Sequence, residues 1–589
     1  MVRSLVDAVM GRRSYDRIIR NVRVVNVYTE EIVPGDIGIV DGMVACVGDL
    51  GDDAAAGEVV DGKGRFAVPG FIDSHMHLES SMMTPANFTA AVVPLGTVAV
   101  AADPHEIANV MGKRGVEILC EMTRDLPLQV SIMAPSTVPS APGFETAGAN
   151  LEAEDVKEIL SYDGVLGLGE VMDFNGVVAS DEKMTAIIDA ARETGCLMDA
   201  HVPLLKGRSL QAFASTGLDC DHTYMDVDSV AEKLRCGMWV QIQERYFTPE
   251  LMAYLNESPA QGRILLATDD VPISRLAEHG HVDHLIRKAI SMGLKPMNAY
   301  RYVTVNAAER LRMYRSGGIA PGKRADIVMM DSLEQAEASA VFCGGELTAE
   351  NGKLTVPVPE KPFPPDAFHT LSLGMLEAAD FRLMAEGKRA LVNVMVQDGK
   401  TSRTVPRQAW CPVKDGCVER DGVWAREKGE EIPCRLAKMA VFNRYPENGR
   451  RSIGFLGNLD EFRGAIATTY AHDCHNLTVY GSSDEDMAAA ANLVIRSGGG
   501  VAAVKDGRVL AHIPLPIAGL LCEDRMEVLA EKFENLTRAA EEMKLNHEEV
   551  LTFITLMALA VSPEIKLTDM GLVDVVHKCF VPCVEKTEE

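Results

Sequence analysis

Two histidines one residue apart, His75 and His77, close an apolar run that begins at Val68. On a strand, alternate side chains point the same way, so the two imidazoles project from one face and make half of a metal site. His-X-His also occurs on ordinary surface strands, so the other ligands must come from elsewhere in the chain. Five further places carry suitable chemistry, each where an apolar run stops: Asp103-Pro-His-Glu106, Gly169-Glu170, Asp199-Ala-His201, Asp221-His222 and Thr268-Asp269-Asp270. Singly, each has a bland reading. His201 or His222 can be a hydrogen-bonded structural histidine, Glu170 a buried carboxylate, Asp269-Asp270 a helix cap and Asp103-Pro-His-Glu106 a strand-end turn. Their coincidence at the ends of successive strands predicts a two-metal site.

The elements that must position these residues are readable from the alternation of apolar runs with helical stretches. Eight runs can be counted: Gly70–His77, Thr97–Asp103, Leu128–Ala134, Gly164–Val171, Gly195–His201, Leu218–His222, Met238–Gln243 and Arg263–Asp269. Helices are expected between them, including Asp181–Glu193, Asp226–Cys236 and Thr248–Asn256. This is the signature of a (β/α)₈ barrel of the TIM type, whose active sites lie at the C-terminal strand ends. Short strands from Tyr15 to Phe66 and again from Gly318 to Val356 predict a flanking β-sandwich domain built from both ends of the barrel. Five prolines between Pro357 and Pro365 mark a stiff linker. A separate α+β domain follows. The expected divisions are 1–67 for the N-terminal segment and first part of the sandwich, 68–312 for the barrel, 313–356 for the second part, and 366–589 for the C-terminal domain.

Composition narrows the function. The chain has 589 residues, 47% of them hydrophobic, enough to fill several cores. A formal net charge of −27 argues against nucleic-acid partners, which need lysine and arginine to neutralise phosphates. Thirteen cysteines without a Cys-X-X-Cys pair, and no secretory signal or membrane-length apolar stretch, indicate free thiols and a cytoplasmic location. The zinc deaminases of polynucleotides use His-X-Glu with a later Pro-Cys-X-X-Cys, and no such pair is present.

The constellation resembles the amidohydrolase superfamily, and the resemblance extends to the adenine deaminases. It is carried by Pro69–Ser81, Ala102–Val110 and Leu166–Met172, and in the C-terminal domain by Ala471-His-Asp-Cys-His-Asn476 and Leu515–Leu520. The resemblance implies metal ligation by His75, His77, Glu170, His201, His222 and Asp269, with Glu170 as the bridging acid where many relatives use a carboxylated lysine. Two divalent ions against Glu170, Asp269 and a bridging hydroxide leave roughly one net positive charge, which favours hydroxide over water. Manganese, iron and zinc all suit imidazole with carboxylate, manganese being the leading candidate. The implied reaction is hydrolytic deamination of adenine to hypoxanthine and ammonia. Asp269 would handle the proton of the nucleophile, Glu106 would be the acid at the purine ring, and Asp103 would contact the base or a further metal. Glu79 and Ser80 would line the pocket. A homodimer or larger homo-oligomer is implied, with a purine base as the small-molecule partner. His472 and His475 fit either a structural role or a lid. Two departures bear on substrate preference: Thr223-Tyr224 stands where adenine deaminases often carry an acid, and Asn443-Arg-Tyr-Pro446 where many carry Glu-Arg-His. The competing readings are a hydrolase of cyclic amides on the same barrel and a catalytically dead scaffold.

Overall fold

The computed structural model describes every residue except Met1, 400–402, 426–431, 446–448 and 546–549. Pro446, one of the divergent positions, lies outside the described residues. The chain forms two compact units. The first comprises Met1–Pro104, Leu119–Ser136 and Glu152–Lys361, and the second His105–Ile118, Thr137–Leu151 and Pro362–Glu589.

In the first unit, all eight apolar runs are parallel strands: β1 (Phe71–His77), β2 (Thr97–Ala102), β3 (Gln129–Ala134), β4 (Val165–Val171), β5 (Leu197–Ala200), β6 (Cys220–Asp221), β7 (Trp239–Ile242) and β8, which runs Ile264–Leu266 and resumes as Asp269–Asp270. They pair in chain order. The first half of β8 lies beside Val240–Ile242 of β7, and its last two residues pair with Met76 and His77 of β1. The eighth strand therefore touches both of its neighbours and closes the sheet into a (β/α)₈ barrel. Largely apolar strands such as β2 are buried along their whole length, as a parallel sheet covered on both faces requires.

The intervening helices start where short polar side chains can satisfy free backbone N–H groups. The Asp181 carboxylate accepts from Met184 N, that of Asp226 from Ser229 N, and the Thr248 hydroxyl from Leu251 N. The strands before and after the barrel meet in one nine-stranded sheet, joined where Ile327–Met330 runs antiparallel to Phe66–Pro69. Its core includes Ile19, Val24, Ile37, Ile327 and Phe342.

The second unit is α+β. Among its described residues a twelve-stranded, largely antiparallel sheet is covered by helices that include Asp484–Arg496 and Met526–Glu542. Ala467, Val479, Met487, Val494 and Ala502 pack in its core. Strands Ala465–Thr468 and Leu477–Gly481 are antiparallel partners, so 469–476 is the loop that connects them.

Candidate metal centre

Strand geometry places the predicted ligands at one end of the barrel. His75 and His77 end β1, Glu170 is the penultimate residue of β4, His201 and His222 directly follow β5 and β6, and Asp269 opens the last piece of β8. All are buried apart from His201, whose side chain is 34% exposed.

The six side chains form overlapping trios: His75, His77 and Glu170; His75, His222 and Asp269; Glu170, His201 and His222. Within each trio the ligand atoms lie within 4.8 Å of one another. Glu170 joins the two sides. Its Oε1 is 3.3 Å from His77 Nε2, while Oε2 is 2.5 Å from His201 Nδ1 and 3.1 Å from His222 Nε2. Asp269 Oδ1 faces His77 Nε2 at 3.2 Å and His75 Nε2 at 3.8 Å. The rings of His75 and His222 stack with centroids 4.0 Å apart.

Neighbouring groups fix how these side chains point. His77 Nδ1 lies 2.9 Å from the Asp103 carbonyl oxygen, which can only accept, so Nδ1 carries a proton and Nε2 faces the two carboxylates. The Asp103 carboxylate accepts from Glu170 N at 2.8 Å, tethering β4 at the residue before the chain turns. Asp199 stands between His75 Nδ1 (3.8 Å) and the buried guanidinium of Arg310 (2.6 Å). Asp221 pairs with the buried Lys233 at 2.6 Å and accepts from Val202 N and the Thr223 hydroxyl beside the two later histidines. Gln243 donates to the His222 carbonyl.

Proton affinities follow this crowding. Burial alone would raise Glu170, yet the His201 and His222 imidazoles hold it well below the usual carboxylate range. Asp269 is likewise held low against burial, by the His77 hydrogen bond and the Arg245 guanidinium. In return Asp269 and Glu170 lift His77 well above its ordinary value, against the effect of burial. Burial pushes Asp103 up to about 7, partly offset by the His77 charge.

Among the described residues, buried His75 Nε2 and His222 Nδ1 have no hydrogen-bond partner. Unpaired imidazole nitrogens beside two carboxylates are costly as packing and suited to a cation, so the donor set fits a divalent metal site.

The remaining predicted residues fall differently. Ser80 donates its hydroxyl to the His77 carbonyl and accepts from Val271 N, which ties β1 to the loop after β8. Glu79 is buried in the short turn Leu78–Ser81. Tyr224 is exposed. Glu106 belongs to the second unit, where the side chains of His472 and His475 flank it. Burial would raise Glu106, but the His472 and His475 imidazoles hold it well below the usual range.

Arg245 went unrecognised in the sequence. It lies in the turn after β7 and reaches Asp269 Oδ2 at 2.5 Å with a side chain 55% exposed. Its place just beyond a barrel strand was the available signal. Asp199 and Asp221 sit within quoted motifs, but Arg310 is remote in sequence from Asp199, and Lys233 lies inside the helix Val227–Arg235 that follows Asp221, where a lysine is unremarkable.

Comparison with known proteins agrees with this geometry. The amidohydrolase family model matches residues 66–349, and the model of the adenine deaminase C-terminal domain matches 404–579. Adenine deaminase 3 of Rhizobium meliloti (strain 1021) is 38% identical over 584 residues, covering 97% of this chain and 96% of that protein. The adenine deaminase of Clostridium botulinum (strain 657 / Type Ba4) is 35% identical over 588 residues, with the same coverage.

This chain belongs to the adenine deaminase family. The adenine deaminase of Moorella thermoacetica (strain ATCC 39073 / JCM 9320), 36% identical, extends the likeness over 98% of the chain. Membership makes it an enzyme of the metal-dependent amidohydrolases, which act on C–N bonds. No helix among the described residues is long and apolar enough to cross a membrane.

Proposed function

We propose that this enzyme hydrolyses adenine to hypoxanthine and ammonia at two divalent metal ions, manganese foremost, held by His75, His77, Glu170, His201, His222 and Asp269. One observation carries the metal count: the two oxygens of Glu170 face different histidine groups, as a ligand shared by two ions would. The names of the full-length relatives support the choice of substrate.

A divalent pair supplies Lewis acidity and brings the pKa of water down towards neutrality. The chain's own residues do the rest. Asp269 Oδ2, the oxygen turned from His75 and His77 towards Arg245, accepts the proton of water as its oxygen adds to C6. The same carboxyl returns a proton to the departing amine, so adenine and water become hypoxanthine and ammonia. Asp103, in the same unit and oriented by Glu170 N, contacts the ring through Oδ1. Glu106 was the acid expected at the ring. It would serve there only in its protonated form, which its histidine neighbours disfavour.

The test is a panel of purines and cyclic ureides offered to Mn(II)-loaded protein, with ammonia release and ring opening followed separately. Adenine turnover with ammonia is expected. Ring opening of a hydantoin or dihydropyrimidine without adenine turnover would replace this reading with the cyclic amidase.

A further inference from the structure

The second unit holds another buried cluster of ligand-type side chains. Its helix His105–Met111 begins with His105 and Glu106, and the loop after strand Ala465–Thr468 carries His472, Asp473 and His475. Ligand atoms of His105, Glu106 and Asp473 lie within 4.8 Å of one another, and all three residues are buried. Two imidazole nitrogens converge on one carboxylate oxygen. His105 Nε2 is 3.7 Å from Glu106 Oε1, and His472 Nδ1 forms an ion pair with the same atom. His472 Nδ1 is also 3.7 Å from Asp473 Oδ1.

The His105 and His472 imidazoles are the basic groups beside this cluster of acids. Glu106, Asp473 and Glu145 are three buried carboxylic groups in this unit. The buried Arg444 guanidinium nearby donates to the Thr370 hydroxyl and to the carbonyls of Thr370, His475 and Ala518, and so goes to neutral acceptors. His475 adds no charge either. Its Nδ1 accepts from Ala471 N at 3.2 Å, so its single proton is on Nε2, directed at Glu106 Oε2 at 2.5 Å. Asp473 Oδ2, fully enclosed, has no hydrogen-bond partner among the described residues. Buried carboxylates persist when they are paired or coordinate a cation.

We propose that His105, Glu106, His472 and Asp473 bind a further divalent transition cation, additional to the barrel pair, that ties helix His105–Met111 to the Ala471–Asn476 loop. Two carboxylates neutralise the ion, and the mixed N/O donor set suits manganese, iron or zinc.

The full chain is stripped with a chelator, reloaded with Mn(II), desalted and analysed for bound metal. About three ions per chain are expected in the wild type, about two in Asp473→Asn and about one in Glu170→Gln. A wild type that holds about two or fewer, or an Asp473→Asn variant that holds as much as the wild type, overturns the proposal. If Asp473→Asn does not fold, Glu170→Gln decides: a retained ion that disappears in the Glu170→Gln/His105→Ala double variant supports the site. No retained ion, or one that survives the second substitution, overturns it. The barrel assignment fails separately, through a Glu170→Gln variant with undiminished metal.

Discussion

The barrel cluster and the C-terminal cluster use the same side chains, imidazoles crowded around buried carboxylates, and assemble them by different routes. In the barrel, each proposed ligand lies at or next to the C-terminal end of a strand of one sheet, and hydrogen-bonded register sets their spacing. In the C-terminal unit, a helix start at His105–Glu106 meets a loop more than three hundred residues later. The barrel cluster also has dedicated cations behind it, Arg310 on Asp199 and Lys233 on Asp221, whereas Arg444 faces carbonyls. A strand-built site can thus have its charges met by fixed partners from the sheet and its covering helices. A site between distant segments depends more on whatever binds there.

The sharpest way to break this comparison is Glu170→Gln. The substitution removes the carboxylate common to two of the barrel trios, so adenine turnover should fall to background as barrel metal is lost. Full activity with normal metal content would sink the shared-ligand role.

Next in size is Lys233→Met, which leaves Asp221 buried and unpaired. Loss of one partner of a buried pair costs about 3–5 kcal/mol, so urea unfolding should shift to a much lower midpoint. An unchanged midpoint would mean that the Asp221–Lys233 pair is dispensable to the barrel.

A smaller effect separates the clusters by proton count. Asp269 and Glu170 raise His77, and Glu170 raises His201, in both cases against burial. Without metal these rings therefore hold protons to a higher pH than usual and must release them to become ligands. Manganese affinity at the barrel should rise with pH, and calorimetry in buffers of different ionisation enthalpy should detect proton release. His475, lowered chiefly by burial, should contribute none of it. Affinity independent of pH across the neutral range would contradict the ligand assignment.

The smallest expected effect concerns Lys566, a buried amine of the C-terminal unit that donates to the Leu556 carbonyl and that burial lowers from 10.5 to about 7. Between those values the unfolded chain binds the extra proton, so stability should rise as pH rises through the window. Lys566→Met should remove this slope and stabilise the protein most below pH 7. Thermal unfolding at several pH values checks the sign.

Much of the barrel was legible because its signals are local. Eight apolar runs became eight parallel strands, and Asp181, Asp226 and Thr248 capped helices where short polar residues precede amphipathic stretches. The C-terminal contribution was harder to read. His472 and His475 stood out as a polar group, yet nothing within 471–476 says that their partner is Glu106.

By itself the sequence determined which residues end barrel strands, since a period of two and a run of β-prone side chains fix the facing of His75 and His77 before any long-range contact forms. The tertiary structure alone decided that Glu170 reaches two histidine groups, that Arg310 and Lys233 neutralise the aspartates behind them, and that Glu106 lies among histidines of the second unit. The reason is physical. Strand periodicity is a property of neighbouring residues, whereas the partner of a buried charge is chosen by whichever distant segment packing brings to it.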